Sequence, residues 1–433
     1  MRKQEGKVVM GNTAQHIAHS RERYQRVQQR VLRHPPYCAH ASKGYERQEL
    51  TRIESILAGG ARPGMASHVL GFLIKLDADT YCLEDLTGRL TISLRHAEPC
   101  ISLLAEGCIV IAVGHVAEAD DSAAPLDYVL EVVNLLSPIP ETRAESERLF
   151  AGLSRTRFGL PPLSHEDLQI VQGLEMDATE VFFVVLSDVH LDQPHCVDKL
   201  AKLFAGFAAT PPAVMLLLGS FTSKPFVNRC GADAGNQCTK DDFVRLMDKL
   251  SDLIAAHPTY HERTRFVLVP GPNDPCATGG ICYPKPGLPA LFKMHMLERI
   301  GDAQLHFASN PTRLFFHSQE MCVFRDNLLH KMLKQCASKP EDASPTELVV
   351  RAVLDQAHLL PLPQFTSPVF FGQADALNLF PLPSVLVLAA DVNDPFFLEY
   401  CGCGVLNPGS FAADASFVVY RPSSMSAEFS RVS

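Results

Sequence analysis

Val181-Phe182-Phe183-Val184-Val185-Leu186-Ser187 runs without a break into Asp188-Val189-His190. A short, wholly apolar run that stops at acidic and imidazole side chains reads as a buried strand feeding a functional loop. Two more runs follow the same grammar. Ala213 to Leu218 ends in Gly219-Ser220, and Arg265 to Val269 ends in Pro270-Gly271-Pro272-Asn273-Asp274. Helical stripes lie between them. Val197, Leu200, Leu203, Phe204 and Phe207 share one face; Phe243, Met247, Leu250 and Ile254 share another, capped by Thr239 with Asp242 three residues on. Later strands are predicted over Arg313 to His317, Met321 to Phe324, Ser384 to Leu388 and Ser416 to Tyr420. The alternation predicts a layered α/β domain with its chemistry at the strand ends.

A two-metal phosphoesterase places its ligands at such junctions. It needs a bridging carboxylate and His, Asn and Asp ligands around ions about 3.5–4 Å apart. Asp188 and His190 supply a first pair. The bridging Asp is expected where Ser220 stands, and a neutral hydroxyl cannot hold two divalent ions against their repulsion. Pro272 and Asn273 stand where Asn and His are wanted. Ala390-Asp391-Val392-Asn393 stands where a late Gly-His-x-His is expected. The pattern predicts a frame kept for assembly rather than hydrolysis, with no catalytic residue, metal or cofactor. Two other readings stay open. Asp188, His190, Asp274 and Asp391 can rebuild a different metal site, or Asp188 and His190 can serve backbone amides. His190, His195 and Cys196 lack a fourth ligand at zinc spacing. Cys230 with Cys238, Cys276 with Cys282, and Cys401 with Cys403 do not have Cys-x2-Cys spacing either.

The length of 433 residues suggests two to three domains, and 46% hydrophobic with 20% charged residues argues against wholesale disorder. No apolar run reaches the roughly 18 residues of a membrane span, and no signal segment is visible. A soluble, intracellular chain with reduced thiols is expected. Net charge is −9 but uneven. Residues 1 to 47 carry ten Lys or Arg (Arg2, Lys3, Lys7, Arg21, Arg23, Arg26, Arg30, Arg33, Lys43, Arg47) against three Glu, so this arm is +7 and the rest −16. Such an arm is either a solvated helix face or a contact for an acidic partner or nucleic acid.

Ser20 can cap a helix through Arg33, and a second helix is predicted from Glu46 to Ala58. From Ala66 to Leu136 the apolar period becomes two. Three strands (Val69 to Leu76, Thr80 to Glu84, Arg89 to Leu94), a short helix at Ile101 to Ala105, and two strands (Cys108 to Val113, Tyr128 to Val133) give the order of an OB-fold barrel. Phe72, Tyr81, Lys75 and Arg89 are its candidate nucleic-acid contacts. Ser137 to His165 reads as an irregular connector. The expected domains are 1–64, a basic helical segment; 65–140, the OB-fold; 141–178, a connector; and 179–433, the α/β domain.

The motifs resemble the B-subunit family of the eukaryotic replicative DNA polymerases, the epsilon members above all. Arg23-Tyr24-Gln25 through Leu32-Arg33-His34 is similar to the helix before that family's OB-fold. Leu83-Glu84-Asp85-Leu86-Thr87-Gly88, Phe266 to Pro275, Val323 to Leu328, His358 to Pro363 and Leu406 to Phe411 carry the rest. The resemblance implies an OB-fold followed by an inactivated calcineurin-like metallophosphoesterase sandwich. It further implies a non-catalytic nuclear subunit that holds the Cys-rich, zinc-binding C-terminal region of the catalytic subunit and meets DNA through the holoenzyme. Asp188, His190, Ser220, Pro272, Asn273, Arg325, Asp391 and Asn393 become vestigial ligand positions; in active relatives a His stands where Phe324-Arg325 is here. Set beside longer members of the family, the chain is expected to lack most of the N-terminal helical domain by which they reach the replicative helicase complex, a candidate further partner. Alternatives are a metal-dependent phosphoesterase or exonuclease, a B-subunit of the delta or alpha polymerase, and a free-standing single-strand binder. Loops bearing Phe221, Phe226, Phe370 and Phe371 are the expected partner surface.

Overall fold

A computed structural model describes residues 11–38, 47–60, 64–77, 80–98, 100–118, 128–152, 164–227, 236–276, 282–390 and 394–433. The chain divides into two compact units, Met1–Glu141 with Leu328–Leu379, and Thr142–Asn327 with Phe380–Ser433. The continuous 179–433 block expected from sequence is therefore interrupted, because 328–379 groups with the barrel.

In the first unit, strands β1 (Ser67–Lys75), β2 (Tyr81–Glu84), β3 (Arg89–Ser93), β5 (Ile109–Glu118) and β6 (Tyr128–Leu136) close a barrel in the order β1-β2-β3-β6-β5. The helix expected at Ile101 to Ala105 does not form. Leu104–Ala105 is instead a strand, β4, antiparallel to β13 (Cys336–Ser338). The first helix begins earlier than Ser20. It spans Thr13–Arg33, with Asn12 and Gln15 closing a reciprocal capping box. Its stripe of Tyr24, Val27 and Val31 packs on Leu70, Ile109 and Ile111 of the barrel wall. The helix expected over Glu46 to Ala58 shrinks to Ile53–Leu57. Leu50 bridges to His68 and the Thr51 N–H bonds the His68 carbonyl, so this stretch is extended; Asp85 then accepts from the Ile53 N–H.

Segment 328–379 is tied to the barrel by polar groups. The Gln356 side chain accepts from the Ile109 N–H and donates to the Ile109 carbonyl, both at 2.8 Å, so it acts as one link of a missing strand. Ser102 donates to Asp355 at 2.8 Å. Buried Arg23 donates to the Gln356 amide oxygen, and buried Arg30 to the Asp355 carbonyl.

The second unit holds two sheets. Strands β7 (Phe183–Ser187), β8 (Val214–Leu218), β9 (Arg265–Val269), β10 (Leu305–Phe307), β17 (Ser416–Arg421) and β18 (Ser426–Arg431) form one, in the order β10-β9-β8-β7-β17-β18. Strands β11 (Thr312–Phe316), β12 (Gln319–Arg325), β14 (Val385–Ala389), β15 (Phe396–Tyr400) and β16 (Cys403–Asn407) form the other, ordered β11-β12-β14-β16-β15. Alternate residues of β7, β8 and β9 face two cores. Val184, Leu186, Met215, Leu217 and Phe266 pack under helices Pro194–Phe207 and Lys240–Ala255, while Val185, Leu216, Leu218 and Val269 meet Val323, Val385 and Val387 of the second sheet. Burial on both faces is why these strands read as unbroken apolar runs. The connector is less irregular than expected: Arg143–Gly152 and His165–Asp177 are helices. Among the described residues no helix is long and apolar enough to cross a membrane.

Candidate functional site

Five strands of the second unit end at one cluster of loops. Asp188 leaves β7 with φ +57°, a left-handed conformation that non-glycine residues rarely adopt and that marks a constrained turn. Gly219 and Gly271, at the ends of β8 and β9, come into backbone contact. A Cβ on Gly271 would lie 2.4 Å from the Gly219 carbonyl carbon, and one on Gly219 would lie 1.9 Å from a carboxylate oxygen of Asp274. Only glycine fits at either position.

The centre of the cluster is a guanidinium. Arg325, at the end of β12, is 5% exposed. It donates to Asp188 Oδ1 from Nη2 at 2.6 Å and from Nε at 3.2 Å, to the Gly219 carbonyl at 3.0 Å, to Asn327 Oδ1 at 2.9 Å and to the Ala389 carbonyl at 3.4 Å. Burial alone would lower the guanidinium pKa, but Asp188, joined by Asp326 and Tyr283, raises it overall. The Ser220 N–H donates to the same Asp188 oxygen, and the Ser220 hydroxyl accepts from the Asn273 N–H at 3.2 Å. The Asn273 amide donates to the Thr222 and Ser223 carbonyls. Asp188 thus serves a cation and an amide, and Asn273 braces a loop.

A buried acid and a buried amine, Asp274 and Lys285, hold the same loop. Asp274 accepts from the Phe221 and Gly271 N–H groups, both at 2.7 Å. Burial pushes its carboxyl up to about 6, against Lys285 and those two amides. Lys285 is 1% exposed and donates to the carbonyls of Gly271 and Asp274 at 2.6 and 2.8 Å; burial lowers its pKa and Asp274 partly restores it. Asp274 is a loop staple, not a ligand facing Asp188. His190 is half-buried, with its pKa lowered by burial against the pull of Asp188 and Asp192, and its Nδ1 has no partner.

This donor set does not fit a two-metal centre. One carboxylate, Asp188, faces a built-in cation; Ser220 is neutral; Pro272 has no ligand atom on its side chain. No cluster of three His, Cys, Asp or Glu with metal-holding geometry occurs among the described residues. Asp391 and Asn393 lie outside the described residues. His195 is exposed with Nε2 at the Ala412 carbonyl, and Cys196 is a core thiol that burial pushes up to about 12, so neither joins His190 in a cluster. Among the described residues no disulfide joins the 12 cysteines, Cys238, Cys276, Cys282, Cys401 and Cys403 included; Cys230 lies outside them.

The span 183–396 matches the model of the DNA polymerase alpha/epsilon B-subunit family, and 13–139 matches that of the DNA polymerase epsilon subunit 2-like OB-fold domain. DNA polymerase epsilon subunit 2 of Homo sapiens is 33% identical over 420 residues, covering 95% of this chain and 75% of its own. The Bos taurus protein of that name is 32% identical, with the same coverage. The DNA polymerase epsilon B-subunit of Arabidopsis thaliana is 30% identical, covering 98% of this chain and 77% of its own. The chain belongs to the DNA polymerase alpha/epsilon B-subunit family.

In this family member two of the barrel's four candidate nucleic-acid contacts, Phe72 and Tyr81, are engaged internally, while Lys75 and Arg89 are exposed. Phe72 lies under the Arg23 guanidinium at 5.5 Å and beside the Tyr24 ring at 6.3 Å. Tyr81 is buried with Lys75 over its ring, and Arg89 pairs with Glu84 at 2.6 Å. The basic arm is likewise spent in part. Arg23 and Arg30 are buried, Arg26 pairs with Glu22, and Arg33 bonds Glu141 at 2.7 Å. Arg2, Lys3, Lys7 and Lys43 lie outside the described residues. Of the four Phe expected at the partner surface, one is corrected by the structure. Phe221 is fully buried, because its loop folds back to give its N–H to Asp274. Phe226 packs edge-on against Phe243 and Phe292. Phe371 stacks near His16 and His19, and both Phe370 and Phe371 are half-buried. The central place of Arg325 is not what the sequence pattern suggests. A signal for it does exist: a lone Arg ends the apolar strand Met321 to Phe324.

Proposed function

We propose that this chain is a non-catalytic accessory subunit of DNA polymerase epsilon, acting in nuclear DNA replication. Its second unit is a phosphodiesterase-type frame whose metal centre has been replaced by an internal ion pair. The observation that carries this reading is Arg325 at Asp188, where a hydrolase of this plan would hold its ions. A fixed guanidinium supplies charge, but it offers no open coordination position and generates no hydroxide nucleophile. The similarity to subunits named for this polymerase spans nearly the whole chain, through both units, which supports a role in assembly. The partner is the Cys-rich C-terminal region of the catalytic subunit; DNA is met through the holoenzyme.

Co-expression with that Cys-rich region tests the reading. A stable complex whose zinc all belongs to the Cys-rich partner, without hydrolysis of a phosphodiester or an exonuclease substrate, is the expected result. Two metal ions per copy of this chain, with turnover abolished by Asp188→Ala, would overturn it.

A further inference from the structure

The helix His165–Asp177 in the second unit is held through its buried Glu175. Glu175 is buried and accepts from the Ser318 N–H at 3.1 Å, the Ser318 hydroxyl at 2.7 Å and the Gln319 amide. Leu168 and Val171 are half-buried. On a 3.6-residue period these three share a face.

The opposite face is apolar and open. Ile170 and Leu174, one turn apart, are 62% and 53% exposed, and Met176 on the flank is 71% exposed. Between the two turns sits Gly173, where an added Cβ would meet nothing within 4 Å. A ridge at i and i+4 beside a residue without a side chain is the relief into which a second helix packs closely. Glu166 and Asp167 lie one turn before Ile170, and Asp177 lies just after Leu174. Glu166, Asp167 and Asp177 are exposed beside the ridge, and Ser164 to Glu180 contains no Lys or Arg.

Charge selects the occupant. A second copy of the chain, related by a twofold axis, would set acid against acid. An anionic lipid surface would be repelled by the same carboxylates. A helix with an apolar stripe bordered by Lys or Arg satisfies both the ridge and its acidic ends. We propose that this face docks a basic amphipathic α-helix of another polypeptide. The site shares no residue with the loop cluster around Arg325, and it does not depend on which polypeptide carries that helix.

The test uses the full chain and a fluorescently labelled synthetic three-heptad helix with Leu at a and d and Lys at e and g. Its counterpart carries Glu at e and g. The Lys helix is expected to bind, and the Glu helix to bind at least about tenfold more weakly. Ile170→Asp with Leu174→Asp should weaken binding by at least about tenfold. Gly173→Leu fills the notch with a better helix former, so it should keep or raise the melting temperature while weakening binding. Phe429→Asp, at another exposed apolar residue, should leave binding unchanged. Equal affinity of the Lys helix for wild type and both ridge variants would overturn the proposal. So would absence of binding, self-association of the chain lost in the ridge variants, or capture of phosphatidylserine vesicles through the same residues.

Discussion

Arg325 Nη2 lies 2.6 Å from Asp188 Oδ1, with side chains only 6% and 19% exposed. The two residues come from different sheets, so the pair fastens the end of β12 to the end of β7. Removing one partner of such a pair strands the other charge in a poorly solvated place. Arg325→Ala should therefore cost about 3–5 kcal/mol, read as a lower midpoint in urea unfolding. Arg325→Lys should recover little, because an ammonium cannot reach Asp188, Gly219 and Asn327 together from one planar fork.

The same geometry fixes the response to metals. An ion at Asp188 would have to displace a guanidinium that Gly219, Asn327 and Ala389 also hold. Saturating Mn2+ should leave the melting temperature of the purified chain where EDTA leaves it. Ligands that bind only the native state raise that temperature by mass action, so a rise reversed by EDTA would show that a metal site persists.

The apolar runs ending at Ser187, Leu218 and Val269 were legible because each is buried on both faces, and local composition alone encodes that. The barrel was legible by its period of two. The pairing of β4 with β13 and the bond of Gln356 to Ile109 were not: partners more than two hundred residues apart leave no local pattern. At the loop cluster, sequence shows which ligand types are absent. It does not show that Arg325 crosses from the second sheet to meet Asp188, because that depends on how two strand ends meet. Phe221 misled for a related reason, since a loop that folds inward reads like one that folds outward.

Gln356 gives a test of how the 328–379 segment is held. Its side chain satisfies both the N–H and the carbonyl of Ile109 in a buried stretch of β5. Gln356→Ala leaves two backbone groups without partners, each costing about 1–3 kcal/mol. Hydrogen exchange should show the Ile109 amide losing protection, together with faster exchange across 355–379. Unchanged protection there would mean that packing alone holds the segment to the barrel.

His19 sets a pH dependence whose sign follows from burial. Desolvation, and then the nearby Arg23, lower its pKa from 6.5 to about 4, against a smaller opposing pull from Asp375. His358, fully buried beside it with ring centroids 5.7 Å apart, is lowered in the same direction. The unfolded chain therefore takes up these protons first as pH falls. The stability held by a neutral His19 is complete above about pH 6.5 and is lost between there and pH 4. A shift from 6.5 to about 4 corresponds to about 3 kcal/mol across that window. His19→Phe keeps an aromatic ring beside Phe371 and removes the titration. Urea unfolding at a series of pH values should show the variant with a shallower slope than wild type from pH 6.5 to 4, and parallel curves above about pH 7. Equal slopes would mean that His19 titrates in the folded protein as it does in the unfolded chain.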